Sequence, residues 1–138
     1  MELALIELYK LSNEQQSLIE ITEKMLNAIN SGDSRTYADL CSPDLTCYED
    51  VCTHRIDGVE FHLTLINQMS QSPAMRATRC DILEPCVQIY GNSAIVTYTR
   101  LMTYDGSGVP RWATSNETRV FSNESGSWKM VHFHRTTL

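Results

Sequence analysis

Positive charge is scarce in this chain: 11 lysines and arginines stand against 17 acidic residues, a net charge of −6 over 138 residues. A surface of that sign repels polyanions, which argues against DNA, RNA or an acidic membrane as partners. No apolar run is long enough to cross a bilayer. The leading MELALIELYKL carries Glu2 and Glu7 and has no basic leader, so it reads as an amphipathic turn or two and not as a signal peptide. There is no glycine-rich phosphate loop, no internal repeat and no low-complexity tract, which removes nucleotide cradles and solenoids from consideration.

Paired cysteines are missing as well. The five, at positions 41, 47, 52, 80 and 86, form an odd set with no CxxC spacing. Without a secretory signal they are expected to be reduced thiols in a cytoplasmic protein. Cys47, Cys52 and His54 are conceivable zinc ligands, but their spacing fits no structural site. Free thiols are the simpler reading, and neither metal nor cofactor is expected. The sequons at Asn116 and Asn123 carry no meaning without secretion.

What is present suits one soluble domain: 42% hydrophobic and 20% charged residues, in a chain long enough to bury a core. Ser12-Asn13-Glu14-Gln15 offers a capping box. Leu18, Ile21, Met25, Leu26 and Ile29 follow at helical spacing until Ser31-Gly32 stops them, which predicts one long amphipathic helix. A short helix is predicted from Ser34 to about Cys41, ending at Pro43, then a strand over residues 45–50 and a second helix from about Val59 to Met69. From Ala77 the pattern becomes β-branched and aromatic. ATRCDIL, VQIY, SAIVTYTRLMTY, RWATSNETRVFS and SWKMVHFHR are separated by Glu84-Pro85, Gly91-Asn92, DGSG and NESG. Helices followed by an antiparallel meander predict an α+β fold.

The closing strand sets an arginine where an apolar face would end. A three-residue hairpin loop at Asn123–Gly126 would place Arg119 opposite Val131 and Arg135 opposite Ser115. An even loop at Asp105–Gly108 would pair Arg100 with Ala113. Three arginines would then share one face with Val96, Tyr98, Met102, Phe121 and Phe133. On a flat sheet Arg119 would lie on the order of 13 to 20 Å from the other two, so they converge only if the sheet curves strongly. Either they line a partly buried concavity, or their stems cross the core and their heads settle in water or on Glu49, Asp50 or Glu117.

The opposite face would carry Trp112, Trp128, Met130, His132 and His134 among threonines. One helix cannot cover both sides of a sheet, so another subunit is the candidate cover. A half-wet antiparallel face is the plainer alternative. His132 and His134 read as interface or packing residues, because no third metal ligand appears at strand or helix spacing.

AINSGDSRTYADLCSPDLTCYE, DGVEFH, SAIVTYTR, GVPRWATSNETRVF and WKMVHFHR together resemble the association, or hub, domain of calcium/calmodulin-dependent protein kinase II, in the nuclear transport factor 2-like superfamily. The resemblance covers about Ser17 to Arg135. It implies a cone-shaped α+β fold with the long helix laid on a strongly curved antiparallel sheet, in a single domain whose residues 1–12 form an N-terminal extension. It implies self-assembly into a closed ring of roughly a dozen subunits or more, with a kinase hub or an acidic peptide as further partners. It also implies a small-carboxylate pocket lined by Tyr37, His62, Arg100, Arg119 and Arg135, with Glu49 nearby. Ser70 stands roughly where the family has an aromatic on a pocket-flanking loop. No kinase segment precedes the matching residues in this sequence, so either a stand-alone scaffold or a hub domain excised from a longer protein is expected.

The alternative function is a small-molecule enzyme of the isomerase or dehydratase type, using His62, Tyr37 and Glu49 as acid and base. Three arginines would keep Glu49 ionised and favour anion binding over proton transfer, so binding is the preferred expectation.

Overall fold

The computed structural model describes residues 10–50, 52–106 and 108–138. The expected amphipathic turns within residues 1–9 lie outside the described residues. Helix α1 spans Asn13–Ser31. The Ser12 side chain accepts from the Gln15 backbone N–H at 3.1 Å while Gln15 Oε1 accepts from the Ser12 N–H at 2.9 Å, completing the predicted capping box. Gly32 ends the helix at φ 78°, and a Cβ added there would meet Ser70 at 2.4 Å, so both backbone angle and space require glycine. Helix α2, Ser34–Leu40, is capped by Asp33, and helix α3 spans Glu60–Ser70.

Strand β1 runs Cys41–Tyr48 and so starts four residues before the predicted strand, passing through Pro43. Proline is tolerated because β1 pairs with its neighbour only at Cys41 and again from Thr46, leaving Pro43 in the unpaired stretch. The short β2, Ile56–Asp57, is followed after α3 by β3, Arg79–Tyr90; β4, Ser93–Tyr104; β5, Arg111–Glu124; and β6, Ser127–Thr137. They form one sheet in the order β2-β1-β6-β5-β4-β3, antiparallel throughout except for the parallel β1–β6 seam. ATRCDIL and VQIY therefore belong to one strand. Glu84-Pro85 forms a bulge inside it, with Glu84 at φ 51°, and does not break it.

The β5–β6 hairpin departs from the expected register. Glu124 pairs with Ser127, so the loop is the two residues Ser125 and Gly126, both at positive φ as a type I′ turn demands. A bulge at Val131 then adds one residue to β6, and Arg119 pairs with Phe133 and Arg135 with Glu117. The tighter turn shifts side-chain parity and the bulge restores it. Arg119, Phe133 and Arg135 thus keep the predicted face while Trp128 and Met130 change sides. Met130 is fully buried and Trp128 packs against the core, which corrects their assignment to the outer face. In the β4–β5 hairpin Arg100 pairs with Ser115, two residues from the expected Ala113 and on the same face.

The core joins Leu18, Met25 and Leu26 of α1 to Val96, Phe121 and Met130 on the inner sheet face. Each such side chain contributes about 1.5–3 kcal/mol on burial. Among the described residues no helix is long and apolar enough to cross a membrane.

Candidate functional site: a cavity between helix α3 and the inner sheet face

Beside α3 the inner sheet face opens into a cavity of about 560 Å³ whose lining includes Tyr37, Glu49, His62, Arg100, Arg119 and Arg135. Six elements or their ends supply these residues: α2 gives Tyr37, the end of β1 Glu49, the first turn of α3 His62, and β4, β5 and β6 one arginine each. Period two along β5 aims Ser115, Glu117 and Arg119 the same way. All three are buried.

Arg119 has little left to offer a ligand. Its Nε donates to the Tyr98 hydroxyl at 2.6 Å and its Nη2 to Glu117 at 2.8 Å, and Nη1 contacts the sulfurs of Met25 and Met130. Its guanidinium carbon also lies 4.9 Å from the centre of the Phe133 ring. Glu117 is the centre of this network. It accepts from Tyr98 Oη at 2.8 Å and Ser115 Oγ at 2.7 Å, and Arg100 Nη1 approaches to 3.6 Å. Burial alone would raise its carboxyl, but Arg119 and Arg100 outweigh burial and hold it at about 2. Arg100 also places Nε 3.4 Å from the Cys80 sulfur.

A second cluster sits around Glu49. Arg135 Nη2 lies 2.6 Å from one Glu49 oxygen, and His62 Nε2 lies 3.4 Å from the other and 3.5 Å from Cys47 Sγ. Arg135 Nε and His62 Nδ1 are buried without a hydrogen-bond partner among the described residues. Burial pushes the Cys47 thiol up to about 12, which leaves it protonated and unreactive. Burial likewise raises the Tyr37 hydroxyl. His54 is exposed while Cys47 is buried. Among the described residues no group of three or more His, Cys, Asp or Glu could hold a metal ion.

The arginines therefore converge, and they are also paired: both alternatives left open by the sequence hold at once. Sequence reasoning named Glu117 only as a resting place for an arginine head. Its alternation with Ser115 and Arg119 is the available signal that it is the organiser; Tyr98, expected on the shared face, is also its hydrogen-bond partner across the strand pair, a role its position alone does not show. Ser70 does not line the cavity, whereas its neighbours Met69, Gln71 and Ser72 do.

On the outer face Trp112 is 63% exposed and His134 is exposed. His132 is half-buried, with Nδ1 2.8 Å from Thr46 Oγ1, and the Tyr48 ring packs 5.9 Å from His132 and 5.5 Å from His134. Burial, and then the neighbouring His134, lower the His132 imidazole.

Comparison with known proteins fits this geometry. The delta subunit of calcium/calmodulin-dependent protein kinase type II from Oryctolagus cuniculus is 38% identical over 126 residues, 88% of this chain; the chain spans 23% of that relative's length. The association domain of the C. elegans kinase superposes with a TM-score of 0.81 at 32% identity, covering 90% of this chain and 95% of that one. The hub homology domain from Chlamydomonas reinhardtii superposes at 0.78 with 30% identity, covering 88% and 95%. At the level of fold alone, a nuclear transport factor 2-like protein from Cytophaga hutchinsonii matches at 0.71 with 15% identity, covering 92% and 100%. The model of the calcium/calmodulin-dependent protein kinase II association domain matches residues 14–138, and the chain belongs to that family.

Proposed function

We propose that the chain is a non-catalytic assembly module, a single cytoplasmic domain that joins copies of itself into a closed ring of roughly a dozen subunits or more and holds a small carboxylate in its cavity. The observation that carries the assembly reading is the bare outer sheet face. The helices pack on the inner side, and Trp112, Tyr48, His132 and His134 stand on the other with no covering element among the described residues. A large exposed aromatic beside polar sheet residues is the composition of an interface core with its rim. Kinase hubs of the same family are the natural co-assembly partners, since the matching relative carries this module within a much longer kinase chain. Trp112→Glu is expected to convert the assembly to smaller species in light scattering. An unchanged mass for that variant would remove Trp112 and its surroundings from the interface.

The carboxylate reading rests on two buried atoms beside the cavity without a hydrogen-bond partner among the described residues: Arg135 Nε, which has Asp50 Oδ2 only at 4.0 Å, and His62 Nδ1, which donates when it carries the ring proton. A bound anion would satisfy them and share Arg135 with Glu49. Arg119 acts as the scaffold of the site, with Arg100 and Arg135 as the arginines still able to turn toward a ligand. Calorimetric titration with short carboxylates is expected to show binding to the parent and none to Arg135→Ala; equal binding to both would dismiss the pocket. Arg135 occupies one Glu49 oxygen at 2.6 Å and His62 faces the other at 3.4 Å, so neither is free to meet a substrate proton, and turnover screens with ketosteroid or enol substrates are expected to return nothing.

A further inference from the structure

We propose that Cys80 is a site of reversible oxidation: a neutral hydroperoxide entering the groove between α1 and β3 converts its thiol to a sulfenic acid, whose oxygen the Arg100 guanidinium receives. The site needs neither assembly nor a bound acid in the cavity. All five thiols are free, but their surroundings differ. Burial pushes Cys41 up to about 11 and Cys47 up to about 12, which keeps both protonated and unreactive. Cys52 is half-buried and Cys86 exposed. Cys80 is half-buried, and its sulfur accepts from Arg100 Nε at 3.4 Å. Among the described residues it is the one cysteine that joins access from outside to a guanidinium donor.

Access comes through a groove of about 310 Å³ lined by Glu23, Leu26 and Asn27 of α1 and by Cys80, Asp81 and Ile82 of β3. A hydroperoxide is small against that volume. The charged residues in the lining are both acidic, and Asp81 is already matched by Arg79, so Glu23 repels anionic oxidants while a neutral peroxide enters.

Arg100 is the reason for oxidation at this sulfur. Its side chain is 5% exposed, and the bond to Cys80 is its one hydrogen bond among the described residues; Glu117 stands 3.6 Å from Nη1, beyond hydrogen-bonding length. A guanidinium carries several N–H donors in a fixed fork, so most of this buried cation is left without an acceptor. Sulfur is a weak acceptor. An oxygen carried on it is a strong one, and the Arg100 donor already points at the atom that would bear it.

Atoms and electrons balance with the peroxide alone. The sulfur attacks one peroxide oxygen, the S–O bond forms as the O–O bond breaks, and the departing oxygen takes the thiol proton and leaves as water or an alcohol; sulfur is oxidised and the peroxide reduced. A small neutral thiol reverses the step through a mixed disulfide, releasing water and then its own disulfide. The chain offers no thiol placed to do the same. Cys80 pairs with Met102 on the inner face and Cys86 with Thr97 on the outer one, while Cys41, Cys47 and Cys52 belong to β1 and the loop after it, across the sheet. The sulfenic acid therefore persists long enough to be trapped.

The test treats the full chain with hydrogen peroxide in the presence of dimedone and reads the label at each cysteine by peptide mass spectrometry. Cys80 is expected to be labelled about tenfold faster than the more exposed Cys86, and dithiothreitol added before the dimedone to erase the label. In Arg100→Met, and in the parent unfolded in urea, the preference is expected to fall to parity. The urea comparison stands even where Arg100→Met does not fold. Labelling of Cys86 or Cys52 at the Cys80 rate or faster, or a disulfide between Cys80 and another cysteine of the chain, would overturn the assignment. So would a preference that survives either the substitution or unfolding, since Arg100 would then have no part in it.

Discussion

At the scale of single residues, Glu117 governs the site more than any arginine does. It is completely buried and holds Arg119 and Arg100 while accepting from Tyr98 and Ser115. Removing it leaves buried guanidinium charge unmatched, so Glu117→Ala is expected to cost about 3–5 kcal/mol, read as a lowered denaturant midpoint at neutral pH. Its folded carboxyl lies at about 2 against an ordinary 4.5. The folded state therefore binds that proton less readily than the unfolded chain. The resulting stability, on the order of 3 kcal/mol, is complete above pH 4.5 and drains away as pH falls toward 2. Denaturant midpoints measured from pH 6 to 2.5 should decline for the parent, with this component missing from the Glu117→Ala profile. The residue types of the site were legible in the sequence, because three strands each offer an arginine with the same parity. Their pairing was not, because it depends on which carboxylate a bent sheet brings within reach, and that is a property of packing across strands.

At the scale of elements, local chemistry announced the helices. Ser12 and Gln15 close α1 at its start, and Gly32 closes it at its end, within a residue of where the pattern places them. Strand register was harder to read. Ser125-Gly126 admits both a two-residue and a three-residue loop, and a bulge such as Val131 leaves no compositional trace. That single extra residue decides which side of β6 faces inward beyond it. Deleting Val131 is expected to turn Phe133 and Arg135 outward and His132 and His134 inward. Carboxylate binding would be lost, with a stability loss of several kcal/mol from the misplaced Phe133, both measurable by titration and denaturant unfolding. Retained binding in the deletion variant would mean that β6 re-registers through its turn.

At the scale of the whole molecule, the sheet presents two faces with different tasks. The inner one is closed by α1 and α3 around the cavity; the outer one carries Trp112 and the Tyr48–His132–His134 cluster with nothing over it among the described residues. The outer face was legible as a demand for cover, since alternation on long strands exposes both sides of a sheet that helices shield on one. Trp128 and Met130 were misread because the hairpin shift moves them to the core side. Membership of the kinase II association domain family makes a sister copy the natural cover. Native mass spectrometry of the purified chain weighs that claim most directly. The expected result is a closed assembly at a high, discrete multiple of the 15.7 kDa protomer, whereas a protomer that stays single across micromolar concentrations would contradict it.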